Sequence, residues 1–159
     1  MQPEAIIEEA SARGLTIACA ESITGGALCS ALVAIPGASA VVAGGVVAYT
    51  IGAKVSVLGV DAGVIERFGV VSEEVALAMA RRARDLYRAD IAVATTGAAG
   101  PEGHGGKAAG TVCVASVGPM GEGSATAVHV GDRAAVREAA VADALDILVR
   151  RVRETAHNA

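Results

Sequence analysis

The sequence predicts an α/β fold on a mixed, partly parallel sheet, and three observations carry that reading. Apolar runs at Leu15–Ala20, Val41–Thr50 and Ile91–Thr95 alternate with helix-patterned segments, as strands buried on both faces do. Two further runs, Thr111–Val117 and Ser124–Val130, are joined through Gly118-Pro119-Met120-Gly121, too tightly for a helical crossover, so they pair antiparallel. A chain of 159 residues, 53% hydrophobic and 19% charged, buries about 70% of its unfolded surface, enough for one core and one domain over residues 1–159.

In chain order, a helix over Pro3–Arg13 stops at Gly14, and the first strand follows. Thr24–Ile35 fits a helix ended by Pro36-Gly37, and Val41–Thr50 reads as a buried strand. Lys54–Leu58 and Asp61–Phe68 are short helical segments. Ser72 caps a helix to about Arg88, with Glu73 and Glu74 favourably placed in its first turn and Val75, Met79, Ala83 and Leu86 as its apolar stripe. A glycine-rich loop, Gly97–Gly106, separates the third strand from the antiparallel pair. Asp132 caps a long last helix with Arg150, Arg151 and Arg153 at its C-terminal end.

Composition narrows the function classes. A net charge of −4, no Trp, one Phe and two Tyr argue against a nucleic-acid binder, which needs a basic face and stacking platforms. Cys19, Cys29 and Cys113 form no CxxC pair and sit in apolar surroundings, which suggests reduced, buried thiols in a cytoplasmic protein. His104, His129 and His157 are far apart, so no metal site is readable. The acidic, amphipathic N-terminus is not a signal peptide. No charge occurs between Glu21 and Lys54, a stretch long enough to span a bilayer, but Pro36 and repeated glycines divide it into a helix, a turn and a strand, so no membrane partner is expected.

Three polar clusters directly follow strands: Glu21-Ser22-Ile23-Thr24-Gly25-Gly26; Tyr49-Thr50 with Lys54; and Thr95-Thr96-Gly97-Ala98-Ala99-Gly100-Pro101. If the strands are parallel, the clusters converge on the edge where open sheets bind ligands. Each also has a plain structural explanation. Ser22 or Thr24 can cap a helix whose glycines pack on the strand, or they can open an anion site at its N-terminus. Tyr49 can be packing and Lys54 solvated. The loop through Lys107 fails as a P-loop, because Pro101 stands where glycine is needed and Ala108 where Ser or Thr is needed. Arg133 is either an exposed neighbour of a cap or a grip for phosphate or carboxylate.

In order and spacing these clusters resemble the CinA C-terminal domain family, which includes the stand-alone nicotinamide-nucleotide amidases. The matching stretches include Ala20–Gly26, Pro36-Gly37-Ala38-Ser39, Gly44–Tyr49, Lys54, Leu58-Gly59-Val60, Gly69–Ala76, Thr96–Pro101, Gly110-Thr111-Val112 and Gly131-Asp132-Arg133. The resemblance implies a three-layer α/β/α domain, no metal, no cofactor, a homo-oligomer (a dimer), and hydrolysis of nicotinamide mononucleotide to nicotinate mononucleotide and ammonia in pyridine nucleotide recycling. Some relatives carry a further N-terminal domain linked to ADP-ribose hydrolysis. That domain has no counterpart here, so only the amidase reaction is expected.

The resemblance places Ser22, Tyr49 and Lys54 in the catalytic site. It places Glu21, Thr24, Gly25, Gly26, Gly45, Thr96, Gly97, Lys107 and Arg133 among the substrate-binding positions. One departure stands out: relatives have a longer glycine-rich loop ending Lys-Pro, whereas here Lys107 is followed by Ala108. The altered loop favours a rival reading, a catalytically inactive nucleotide-binding or scaffold module of the same fold.

The chemistry expected is amide hydrolysis with Ser22 as nucleophile or as the group that positions water. Lys54 is the base, which must be lowered by burial or by a neighbouring cation from its free value near 10.4. Tyr49 relays or orients the proton. Amides near Gly25-Gly26 or Gly97 stabilise the oxyanion.

Overall fold

The computed structural model describes residues 3–155; His157 lies outside them. Five strands form one sheet in the order β2-β1-β3-β4-β5: β1 Ile17–Glu21, β2 Val42–Val47, β3 Ile91–Gly97, β4 Thr111–Gly118 and β5 Gly121–Val128. Strand β1 lies between β2 and β3 and runs parallel to both, and β4 pairs antiparallel with both β3 and β5. The sheet is therefore mixed, as the sequence predicts. Gly118 pairs with Gly121, so Pro119 and Met120 alone make the hairpin tip and β5 starts earlier than its apolar pattern suggests.

Helices α1 Pro3–Ala12, α2 Ala27–Val33 and α6 Arg133–Thr155 cover one face, and α4 Ala62–Phe68 and α5 Glu73–Tyr87 cover the other, giving three layers. Alternation along the strands sorts the side chains by size. Ile17, Cys19, Ile91 and Val93 face α1, α2 and α6, whereas Ala18, Ala20, Ala92 and Ala94 face α5. The alanine face lets α5 lie close on the sheet.

Ser72 caps α5 through a 3.2 Å bond from the Val75 amide, and Asp132 caps α6 through a 2.9 Å bond from the Ala135 amide. The stripe on α5 is shorter than predicted. Val75, Met79 and Ala83 are buried, but Leu86 is 56% exposed. Tyr87, one residue on, lays its ring on Gly44, where a Cβ would stand 2.4 Å from the ring. Cys19 and Cys113 are buried, but Cys29 is only half-buried. Hydrogen bonding from Cys19 pulls the Cys29 thiol down to about 7.

The charge-free stretch folds as α2, a 3-10 turn at Ala38–Ala40 and β2. Among the described residues, no helix is long and apolar enough to cross a membrane. Helix α2 is shorter than its predicted span. Gly25 and Gly26 adopt φ of 59° and 102°, so the helix begins only at Ala27.

Candidate active site

In the parallel strands, Glu21 of β1 pairs with Val47 of β2 and Thr95 of β3, so the three carboxyl ends align. All three polar clusters therefore open on one edge, at the point where the connections leaving the adjacent β1 and β3 run to opposite sides of the sheet. There they line a single cleft of about 830 Å3, walled by Ser22 and Ile23, by Tyr49 to Gly52 with Lys54, by Thr96 to His104, and by Arg133.

Lys54 forms the floor. Thr50 caps the short helix α3, Ile51–Ser56, by accepting from the Ala53 amide at 3.0 Å, which fixes where the helix starts. Lys54 thus falls in the last turn rather than at the helix opening, and its side chain turns inward, 1% exposed. Its Nζ donates to Ser22 Oγ at 2.7 Å and to the carbonyls of Ala48 and Tyr49, both at 3.0 Å. The Ser22 hydroxyl points at the same Tyr49 carbonyl, 3.4 Å away. Burial pushes the Lys54 ammonium down to about 8, because the charged form loses its water. The solvated reading of Lys54 is thereby corrected.

Glu21 and Thr24 sit behind the cleft wall. Glu21 is 1% exposed and spends its carboxylate on four donors: Thr24 Oγ1 at 2.6 Å and the amides of Gly26 at 3.0 Å, Leu28 at 3.0 Å and Cys29 at 2.8 Å. Neither Ser22 nor Thr24 caps α2. The capping group is this carboxylate, which already fills the anion site at the helix N-terminus. Thr24, fully buried, also bonds Thr95 Oγ1 at 2.8 Å.

The Gly25 amide is bound to the Ser22 carbonyl and the Gly26 amide to Glu21, so the expected oxyanion donors there are engaged. Among the described residues, the main-chain N–H groups of Ile23, Ala99 and Gly100 on the cleft wall donate to no other protein group. These three are among the amides available to a developing oxyanion.

Tyr49 is 57% exposed, and its phenol does not reach Ser22 or Lys54. Arg133 donates to that phenol at 2.7 Å and to the Gly100 carbonyl at 2.9 Å, bridging the second and third clusters across the cleft mouth. The tyrosine's contact with the floor is made by its main-chain oxygen, while Arg133 holds its phenol at the mouth. Thr96 is buried and donates to the Val70 carbonyl at 2.9 Å. A Cβ on Gly97 would lie 2.7 Å from both Ile23 Cδ1 and the Thr111 carbonyl, so only glycine fits against the residue that follows Ser22.

Gly25, Gly26, Gly45 and Lys107 do not line the cleft. Gly45 lies against Cys29 and Cys19, and Lys107 borders a separate depression beside Arg67 and Glu73. The altered loop is folded nonetheless. His104 and Lys107 exchange two 3.0 Å main-chain bonds around Gly105-Gly106, whose φ of 58° and 77° suit a two-residue turn. Gly105 rests on Val70, so the hairpin walls the cleft and brings His104 to it.

Sequence reasoning missed His104 and Arg137. The latter stands one helical turn after Arg133, and that spacing was its only signal. Its Nε donates to the Ile23 carbonyl and its Nη2 to the Thr24 carbonyl, each at 3.0 Å. Among the described residues, no cluster of three or more His, Cys, Asp or Glu is suited to a metal ion.

Comparison with known proteins agrees with this architecture. The model of the CinA C-terminal domain matches residues 2–152. A CinA-like protein of Mycolicibacterium vanbaalenii is 50% identical over 140 residues, 86% of this chain and 33% of the relative. One of Fervidobacterium nodosum is 45% identical over 136 residues, 85% of this chain and 33% of the relative. The chain thus spans about a third of the length of these curated relatives.

Among solved structures, a competence-damaged protein (CinA) superfamily protein from Escherichia coli superposes with a TM-score of 0.90 at 37% identity, covering 94% of this chain and 87% of that one. The competence/damage inducible protein CihA from Agrobacterium tumefaciens gives 0.86 at 39% identity, covering 94% and 92%. A match over nearly the whole chain, with the same fold at better than one residue in three identical, means that this chain belongs to the CinA C-terminal domain family.

Proposed function

We propose that this protein is an amidohydrolase that converts nicotinamide mononucleotide to nicotinate mononucleotide and ammonia. The observation that carries the reading is the buried contact of Lys54 Nζ with Ser22 Oγ, 2.7 Å, at the floor of the cleft. A hydroxyl paired with an amine lowered toward neutrality is a nucleophile with its base. The substrate follows from the resemblance of Ser22, Tyr49 and Lys54, in this order and spacing, to the family's nicotinamide-nucleotide amidases. The cleft is large enough for a mononucleotide, and Arg133 at its mouth offers a cation for the phosphate.

In the proposed cycle, neutral Lys54 takes the Ser22 proton as Oγ attacks the carboxamide carbon. The oxyanion is met by the free amides on the cleft wall. Protonated Lys54 returns the proton to the nitrogen, the C–N bond breaks, and ammonia leaves an ester on Ser22. Water, deprotonated by Lys54, hydrolyses that ester, and Ser22 regains its proton. Direct contact between Lys54 and Ser22 favours this route over one in which Ser22 only positions water.

The test is ammonia release from nicotinamide mononucleotide by the purified protein, beside Ser22→Ala and Lys54→Ala. Release by the parent alone, with an acyl-enzyme of matching mass trapped on Ser22, is the expected result. A parent that binds the nucleotide without releasing ammonia, or a fully active Ser22→Ala, would overturn it; the former would leave a nucleotide-binding module.

A further inference from the structure

The segment after Ser22 has little regular structure of its own. Residues Ser22 to Gly26 lie between β1 and α2, and Gly25 and Gly26 carry positive φ. Such a segment holds one conformation only if its main-chain groups are tied from outside. Three of its amides are tied: Ser22 donates to the Thr95 carbonyl at 3.0 Å, Gly25 to the Ser22 carbonyl at 3.2 Å, and Gly26 to Glu21.

The carbonyls of Ile23 and Thr24 need donors, which a carboxylate cannot supply. Thr24 accepts the Ala27 amide at 3.1 Å, and Arg137 of α6 donates to both carbonyls, through Nε to Ile23 and Nη2 to Thr24, each at 3.0 Å. The guanidinium is a rigid planar fork, so two donors at fixed separation set the two carbonyls relative to each other. It also lies on the loop itself, since a Cβ at Gly25 would be 3.4 Å from Nη2.

Arg133 and Arg137 are successive turns of one helix, and their targets are complementary. Arg133 ties the Tyr49 phenol to Gly100, and Arg137 ties the Ser22 segment. The first turns of α6, a 23-residue helix packed on the sheet through Val136, Ala140 and Ala144, thus reference all three cleft clusters to one rigid body.

We propose that Arg137 is a positioning residue of the Ser22–Lys54 pair: by holding the Ile23 and Thr24 carbonyls it fixes Ser22 Oγ on Lys54 and the free Ile23 amide at the cleft wall. The proposal rests on the hydrolase reading above. Arg137 is not a lining residue of the cleft, so its removal should leave substrate binding nearly unchanged and slow the chemistry.

The experiment compares the parent with Arg137→Ala and Arg137→Lys. The expected result for Arg137→Ala is kcat lower by about 10- to 100-fold with KM within about twofold. Arg137→Lys, which keeps a donor but not the fork, should fall between. Added guanidinium chloride, at tens of millimolar and below any unfolding, should restore part of the Arg137→Ala rate. A residue that merely docks α6 would show the opposite, a fall in Tm that guanidinium deepens.

Unchanged kcat, an effect confined to KM, or a loss that follows unfolding and is not rescued would each overturn the proposal. A second readout separates it from the substrate assignment: the rate at which a fluorophosphonate labels Ser22. If the parent labels but releases no ammonia from nicotinamide mononucleotide, the substrate reading fails. Slower labelling of Arg137→Ala then still supports the positioning role, and equal labelling overturns it. A parent that neither hydrolyses nor labels overturns both.

Discussion

Lys54 Nζ lies 2.7 Å from Ser22 Oγ although 32 residues separate them, and both side chains are more than nine-tenths buried. Lys54 divides its three protons between that hydroxyl and the carbonyls of Ala48 and Tyr49. In the charged form it is a donor to Ser22, and only the neutral amine can accept the serine proton.

The pH dependence of turnover follows. Since burial brings Lys54 to about 8, kcat/KM should rise with pH through a midpoint near that value and level off above it. Lys54→Arg should be inactive up to a pH of about 10, because a guanidinium does not lose its proton there. Initial rates across this range provide the check, and a flat parent profile would remove Lys54 as the base.

Stability should respond to the same group. The Lys54 value falls from an ordinary 10.5 to about 8 in the fold, so between those limits the unfolded chain binds more protons than the native one. Stability therefore rises with pH across that window; the burial penalty is full below about 8 and relieved above 10.5. The difference in unfolding free energy between parent and Lys54→Met should change across the window by on the order of 3 kcal/mol at most. Urea unfolding at the two limits measures it, and no change in that difference would contradict the linkage.

Glu21 should matter to the fold more than to substrate affinity. Its carboxylate accepts from Thr24, Gly26, Leu28 and Cys29 while 1% exposed. Glu21→Gln offers one acceptor oxygen in place of two and adds two donors, so it should cost about 1.5–3 kcal/mol, with Glu21→Ala costing more. Denaturant midpoints decide; a Glu21→Gln protein as stable as the parent would show that the cap is dispensable.

Tyr49→Phe should be a mild change. The main-chain oxygen that anchors Lys54 is retained, and what is lost is the phenol that receives Arg133. We expect kcat to fall less than about tenfold, with the larger effect on KM through Arg133. Steady-state kinetics beside Ser22→Ala test this, and a Tyr49→Phe protein as inactive as Ser22→Ala would return the phenol to the proton path.

Much of the frame was written locally. Apolar runs, glycine and proline punctuation, and the caps Ser72 and Asp132 located the elements, and strand-then-polar-cluster spacing put Ser22, Tyr49-Thr50 and Thr96-Gly97 on one sheet edge. These signals concern residues near each other in sequence, where period and capping chemistry operate. What only the tertiary structure decided is which way the polar side chains turn. A lysine on a short helix reads as solvated, yet Lys54 is buried because α3 seats it over the carbonyls of Ala48 and Tyr49, just past β2. Glu21 reads as a site residue but is drawn behind the wall by amides of its own segment. Arg137 carries no role legible in the sequence, yet it reaches carbonyls more than a hundred positions away. Desolvation and long-range hydrogen bonding set these outcomes, and neither leaves a periodic trace along the chain.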